Sequence, residues 1–118
     1  MRESGEMYLE TVYCLLKDRG RVFAVDVCDA LSYAKSSVSR GINNLKKQGY
    51  LTADDKNGLL LTEEGLKKAE SVFERHAVLT AFLMKIGVAE DVAEQDACKI
   101  EHVISVETLN AIKEELKK

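Results

Sequence analysis

Not one of the 118 residues is proline. Proline is the strongest helix breaker, costing about 3 kcal/mol in a helix interior. A chain that lacks it, and is rich in Leu, Ala, Glu and Lys, is free to run in long helices. The apolar spacing carries the helical period. Tyr8, Val12, Leu15 and Leu16 form one stripe of a first helix, from about Gly5 to Asp18, with Ser4 as N-cap and Gly20 as stop. A short extended piece, Arg21-Val22-Phe23, leads to a second helix from about Val25 to Ser32, with Val27, Ala30 and Leu31 inward. After a turn at Tyr33-Ala34-Lys35, a third helix starts at Ser36 as N-cap and runs to about Gln48, with Val38, Ile42 and Leu45 inward. Gly41 inside that helix costs about 1 kcal/mol relative to alanine, which implies close packing there.

Tyr50–Ala53 and Leu59–Leu61 read as short strands, joined through Asp54-Asp55-Lys56 and the turn pair Asn57-Gly58. Three helices followed by a hairpin is the order of a winged helix-turn-helix. Thr62 caps a long fourth helix, from about Glu63 to Ile86, with Leu66, Ala69, Val72, Phe73, Ala77, Leu79, Phe82 and Leu83 on its apolar face and Gly87 closing it. A fifth helix spans about Glu90 to Ile104. A sixth spans Val106 to Lys117, with Leu109, Ile112 and Leu116 on one side. Two such apolar helices ending a small chain suit a dimer interface. The expected fold is mainly α with a small β-wing. Residues 1–70 form a winged helix-turn-helix DNA-binding domain, and residues 71–118 a helical metal-binding and dimerisation domain.

Composition narrows the setting. Hydrophobic content of 46% and charged content of 31% suit a folded soluble protein rather than a disordered one. No apolar run approaches the roughly 20 residues that span a bilayer, so no membrane partner is expected. Three widely spaced cysteines give no disulfide framework and fit a reducing cytoplasm. The net charge of −3 argues weakly against nucleic acid, but its distribution argues the other way. Tyr33 to Tyr50 holds four cations (Lys35, Arg40, Lys46, Lys47) and no acid, whereas Glu90 to Glu107 holds six acids against Lys99 alone. One block can meet phosphate and the other a cation.

The acidic block contains Asp96-Ala97-Cys98-Lys99-Ile100-Glu101-His102. On a helix, Cys98, Glu101 and His102 sit at i, i+3 and i+4 and project from one face. Thiolate, carboxylate and imidazole are transition-metal donors. Three donors on one helix rarely complete a coordination sphere. Met7 with Glu10 near the start, and His76 in the middle, are the candidates for the rest. Each also has an ordinary reading: Met7 as core packing, Glu10 as a solvated acid, and His76 as a hydrogen-bonded structural histidine. In the basic block, Lys35, Ser36, Ser37, Ser39 and Arg40 lie at the end of helix three that enters a major groove in this motif. Arg40 suits guanine. Asn43, Asn44, Lys46, Lys47 and, on the wing, Lys56 suit the phosphate backbone.

Five segments occur in order: Glu6-Met7-Tyr8-Leu9-Glu10-Thr11-Val12-Tyr13, Lys35-Ser36-Ser37-Val38-Ser39, Leu61-Thr62-Glu63-Glu64-Gly65, Arg75-His76, and Ala97-Cys98-Lys99-Ile100-Glu101-His102-Val103-Ile104-Ser105. Together they resemble the diphtheria toxin repressor and manganese transport regulator family of iron- and manganese-dependent repressors. The resemblance covers nearly the whole chain and implies metal bound between a winged-helix domain and a dimerisation domain. It implies a mixed ligand set. Met7, Cys98, Glu101 and His102 match the primary site of iron-type members, while Glu10 and His76 match second-metal ligands of manganese-type members. Asp at Met7 and Glu at Cys98 would be the manganese pattern. Glu at Thr80 and His at Glu94 would be the iron-type ancillary pattern, which this chain departs from.

Mn(II) is hard and favours oxygen donors, whereas thioether and thiolate shift preference toward Fe(II) and later metals. Fe(II) is therefore the expected cofactor and Mn(II) the alternative, with Zn(II), Co(II) and Ni(II) competing in vitro. The expected function is a homodimeric, metal-dependent DNA-binding repressor of metal-uptake genes on a pseudo-palindromic operator. The rival is a winged-helix regulator that answers a small molecule or redox state without metal, and metal-titrated operator binding separates the two. The chain has no Gly-rich phosphate loop, no His-Glu-x-x-His and no nucleophile beside a base, so it does not read as an enzyme.

Overall fold

The computed structural model describes residues 3–118. The chain divides into two compact units, Met1–Glu70 and Ser71–Lys118. The first holds α1 (Glu3–Arg19), α2 (Ala24–Leu31), α3 (Lys35–Lys47), β1 (Leu51–Ala53) and β2 (Leu59–Leu61). α4 (Glu63–Lys85) contains the division, and α5 (Glu90–Ile100) and α6 (Val106–Leu116) complete the second unit.

In the first unit, Leu9, Val12, Val22, Val27, Val38 and Leu45 are fully buried in one apolar core. Leu9, absent from the expected stripe of the first helix, is among them. Ala30, expected inward, is exposed, because α2 is short and only Val27 reaches the core fully. The strands pair antiparallel, with Leu51 opposite Leu61 and Ala53 opposite Leu59. Val22 adds a backbone bond to this wing, accepting from the Leu59 N–H at 2.7 Å.

The caps differ from expectation in three places. Ser4 lies inside α1, which already includes Glu3. The N-cap of α3 lies two residues earlier than expected, at Ala34 with no side-chain cap, so Ser36 stands in the first turn. α5 stops at Ile100 instead of Ile104, since Ser105 caps α6 by accepting the Thr108 N–H at 3.1 Å. Thr62 does cap α4, accepting the Gly65 N–H at 3.0 Å.

At Gly41, α3 packs against the Tyr8 ring of α1. A Cβ there would strike the Tyr8 ring, so the expected close packing is present. In the second unit, Val72, Leu79, Ala93, Ala97 and Leu109 are buried. Leu66 and Phe73, expected on the apolar face of α4, are 42% and 40% exposed.

Candidate functional site

The second unit gathers donors from two helices. α4 supplies His76 and the end of α5 supplies Cys98, Glu101 and His102. Although α5 ends at Ile100, Glu101 keeps helical dihedrals and its N–H still bonds the Ala97 carbonyl at 2.9 Å. Helical phase therefore persists far enough to hold Cys98 and Glu101 on one face. Glu101 is fully buried, which is costly for a carboxylate unless its oxygens are engaged. One oxygen lies 3.0 Å from His76 Nδ1 and the other 3.2 Å from His102 Nε2. Cys98 Sγ lies 3.7 Å from the same His76 nitrogen. Cys98 is exposed and His76 half-buried, so the cluster runs from the surface inward.

Single donor atoms of His76, Cys98 and Glu101 all lie within 4.8 Å of one another. Two ligands on one first-row ion, each about 2.0–2.3 Å from it, sit roughly 3–3.8 Å apart. The 3.0 Å and 3.7 Å separations fall in that span, so nitrogen, sulfur and oxygen donors fit a transition-metal ion. A recess of about 370 Å³ opens beside them, lined by His76, Asp91, Glu94, Gln95 and Cys98. Asp91 belongs to the acidic block expected to meet a cation, whereas nothing in the sequence singles out Gln95. Asp91 sits two turns and Gln95 one turn before Cys98, a spacing that marks them as sharing its face.

In the first unit, Met7 and Glu10 are half-buried and one turn apart on α1. The Tyr33 hydroxyl donates to Met7 Sδ at 3.8 Å, and the Tyr33 ring meets Tyr8 edge-on, with centroids 6.2 Å apart. Tyr8 in turn fills the notch at Gly41. A line of contacts thus joins Met7 on α1 to the middle of α3. Glu6 is also buried, and its carboxylate lies 3.2 Å from Lys68 Nζ.

The outward stripe of α3 is Ser36, Arg40, Asn43 and Lys47, all exposed at i, i+4, i+7 and i+11. Lys35 and Lys46 are exposed beside it, while Ser37 and Ser39 are half-buried toward the core face. Asn44 lines a recess of about 400 Å³ with Ser4, Tyr8, Gly41 and Gln48, on the side facing α1. Lys56 is exposed on the loop between β1 and β2.

Residues 1–59 match the family model for the iron dependent repressor N-terminal DNA binding domain. Residues 62–118 match that for the iron dependent repressor metal binding and dimerisation domain. The chain belongs to the iron-dependent repressor family. Members of this family are transcriptional regulators with a DNA-binding and a metal-binding, dimerising part. An HTH-type transcriptional regulator of Methanocaldococcus jannaschii is 31% identical over 115 residues, covering 96% of this chain and 92% of that one. The HTH-type transcriptional regulator MntR of Lysinibacillus sphaericus is 36% identical over 109 residues, covering 92% and 78%. The solved manganese regulator SloR has the same fold at a TM-score of 0.85 and 24% identity, over 96% of this chain. This chain spans about half the length of that solved protein, 53%. Among the described residues, no helix is long and apolar enough to cross a membrane.

Proposed function

We propose that this iron-dependent repressor family member represses metal-uptake genes, binding its operator when Fe(II), or alternatively Mn(II), is held by its own residues. The observation that carries this reading is the convergence of His76 Nδ1, Cys98 Sγ and the buried Glu101 carboxylate. His102 and, from α1, Met7 and Glu10 supply the remaining donors. Bound there, the ion supplies positive charge and fixed bond directions.

The protein's residues do the rest. Glu101 orients the imidazoles on either side of it, as acidic partners of metal-binding histidines do. Cys98 brings a thiolate, which tilts the site from Mn(II) toward Fe(II) and later metals. Zn(II), Co(II) and Ni(II) bind as well or better in vitro, and availability decides in the cell. Ligands drawn from both α1 and α5 make metal affinity depend on the arrangement of the DNA-reading helices. The arrangement that aligns these residues best on an ion would be favoured when one is bound, and that arrangement is the DNA-competent one. Ser36, Arg40, Asn43 and Lys47 face the major groove, flanked by Lys35, Ser37, Ser39 and Asn44, with Lys56 on the wing. A two-fold dimer reads a pseudo-palindromic operator.

The test is anaerobic operator binding titrated with Fe(II), Mn(II) and Zn(II), with metal counted per chain. Glu101→Gln keeps the size and one acceptor oxygen but removes the anionic donor. It should abolish the metal response while circular dichroism stays unchanged. A variant that answers metal like the parent refutes the ligand assignment. Cys98→Glu should shift the preference toward Mn(II), because it exchanges a soft donor for a hard one.

A further inference from the structure

The loop between β1 and β2 carries Asp54, Asp55 and Lys56, two acids against one cation. Left mobile, this tip would present net negative charge to a phosphate backbone. It is held instead. Asp54 Oδ1 accepts the N–H groups of Lys56 and Gly58, both at 2.8 Å. Its other oxygen lies 3.1 Å from Arg21 Nη2. The Asp54 N–H bonds the Gly58 carbonyl at 2.9 Å, closing the loop on itself. Asn57 adopts φ +65°, which asparagine tolerates better than most residues. A Cβ on Gly58 would come within 2.6 Å of the Asp54 carboxylate. Asp54 therefore directs its charge onto two amides and a guanidinium, while Asp55 and Lys56 stay exposed, so the outer tip carries no net charge.

We infer that Asp54 is a positioning residue for DNA binding: it shapes the wing so that Lys56 meets phosphate. This rests on the reading of Lys56 as a backbone contact. Simple charge counting predicts the opposite effect of removing Asp54. Loss of an acid and release of Arg21 would both favour a polyanion. Positioning predicts weaker binding, because Lys56 and its loop must then be ordered on contact.

The experiment uses the full chain loaded with Mn(II) and an operator duplex selected from a random library, with affinity measured across salt concentrations. Lys56→Ala should reduce the slope of log K against log salt by about 0.9 per wing, about 1.8 for a dimer. Asp54→Ala should weaken binding about tenfold or more, and adding Lys56→Ala should cost little further. Amide exchange at Lys56 and Gly58 should speed up in Asp54→Ala. Asp54→Asn, which keeps one acceptor and disturbs folding least, should give an intermediate loss. If Lys56→Ala leaves the salt slope unchanged, the wing contact itself is wrong and the inference falls with it. If Lys56→Ala lowers the slope but Asp54→Ala and Asp54→Asn bind as well as or better than the parent, the wing contact stands and the positioning role is overturned.

Discussion

Gly41 carries more of the DNA-binding unit than its size suggests. A helix interior disfavours glycine, yet the Tyr8 ring occupies the space a side chain would need. Gly41→Ala therefore gains helix propensity of about 1 kcal/mol and meets a clash that overpacking data put at about 1–3 kcal/mol. The net should be destabilising, read as a lower midpoint in chemical denaturation. Tyr8→Leu should relieve it, so the double variant should be more stable than the sum of single effects allows. Additive losses would show that the ring is not the obstacle. The sequence made this contact half legible. Glycine at an inward-leaning helical position implied close packing, but nothing in it named Tyr8 as the neighbour. The engagement of Met7 with Tyr33 was likewise hidden, because the two are 26 residues apart and meet only through the fold.

Elements were legible where local chemistry decides them. Asn57-Gly58 marked the wing turn, Thr62 marked the start of α4, and the periods of α3 and α4 gave their extents within a residue or two. The misread ends have physical causes. Ala34 lacks any side-chain acceptor, so the start of α3 has no polar signature, and Ser36 is the first residue after it that offers one. The end of α5 is set by Ser105, whose pairing with Thr108 was present in the sequence and went unused. The wing shows a second unused signal, an acid four residues before glycine. The N–H groups of Gly58 and then Lys56, with Arg21 beside them, hold the Asp54 carboxyl below its ordinary value of 3.8. A lowered folded value means that its contribution to the wing is complete above 3.8 and is lost as pH falls through the folded value. Nuclear magnetic resonance should find the Lys56 and Gly58 amide shifts titrating below 3.8, with that transition absent in Asp54→Asn. Titration at or above the ordinary value would contradict this account of the loop.

At the scale of the molecule, the site was legible in outline because its donors are unusual residue types in a fixed order. Cys98, Glu101 and His102 share a helix face by spacing alone, and the structure adds His76 from α4 to Cys98 and Glu101. The burial of Glu101 was not legible, since a glutamate at helical spacing is an ordinary surface residue until its neighbours are known. Membership of the iron-dependent repressor family gives the two units their DNA-binding and metal-binding characters. Their proposed coupling is thermodynamic, and coupling between two binding events is reciprocal. If metal raises operator affinity about 5- to 150-fold, operator must raise metal affinity by the same factor. The most direct measurement is the Mn(II) affinity of the full chain with and without saturating operator duplex, beside the operator affinity with and without Mn(II). The account predicts equal enhancement factors well above one, and their loss in Glu101→Gln. Mn(II) affinity that is the same with and without operator would contradict it.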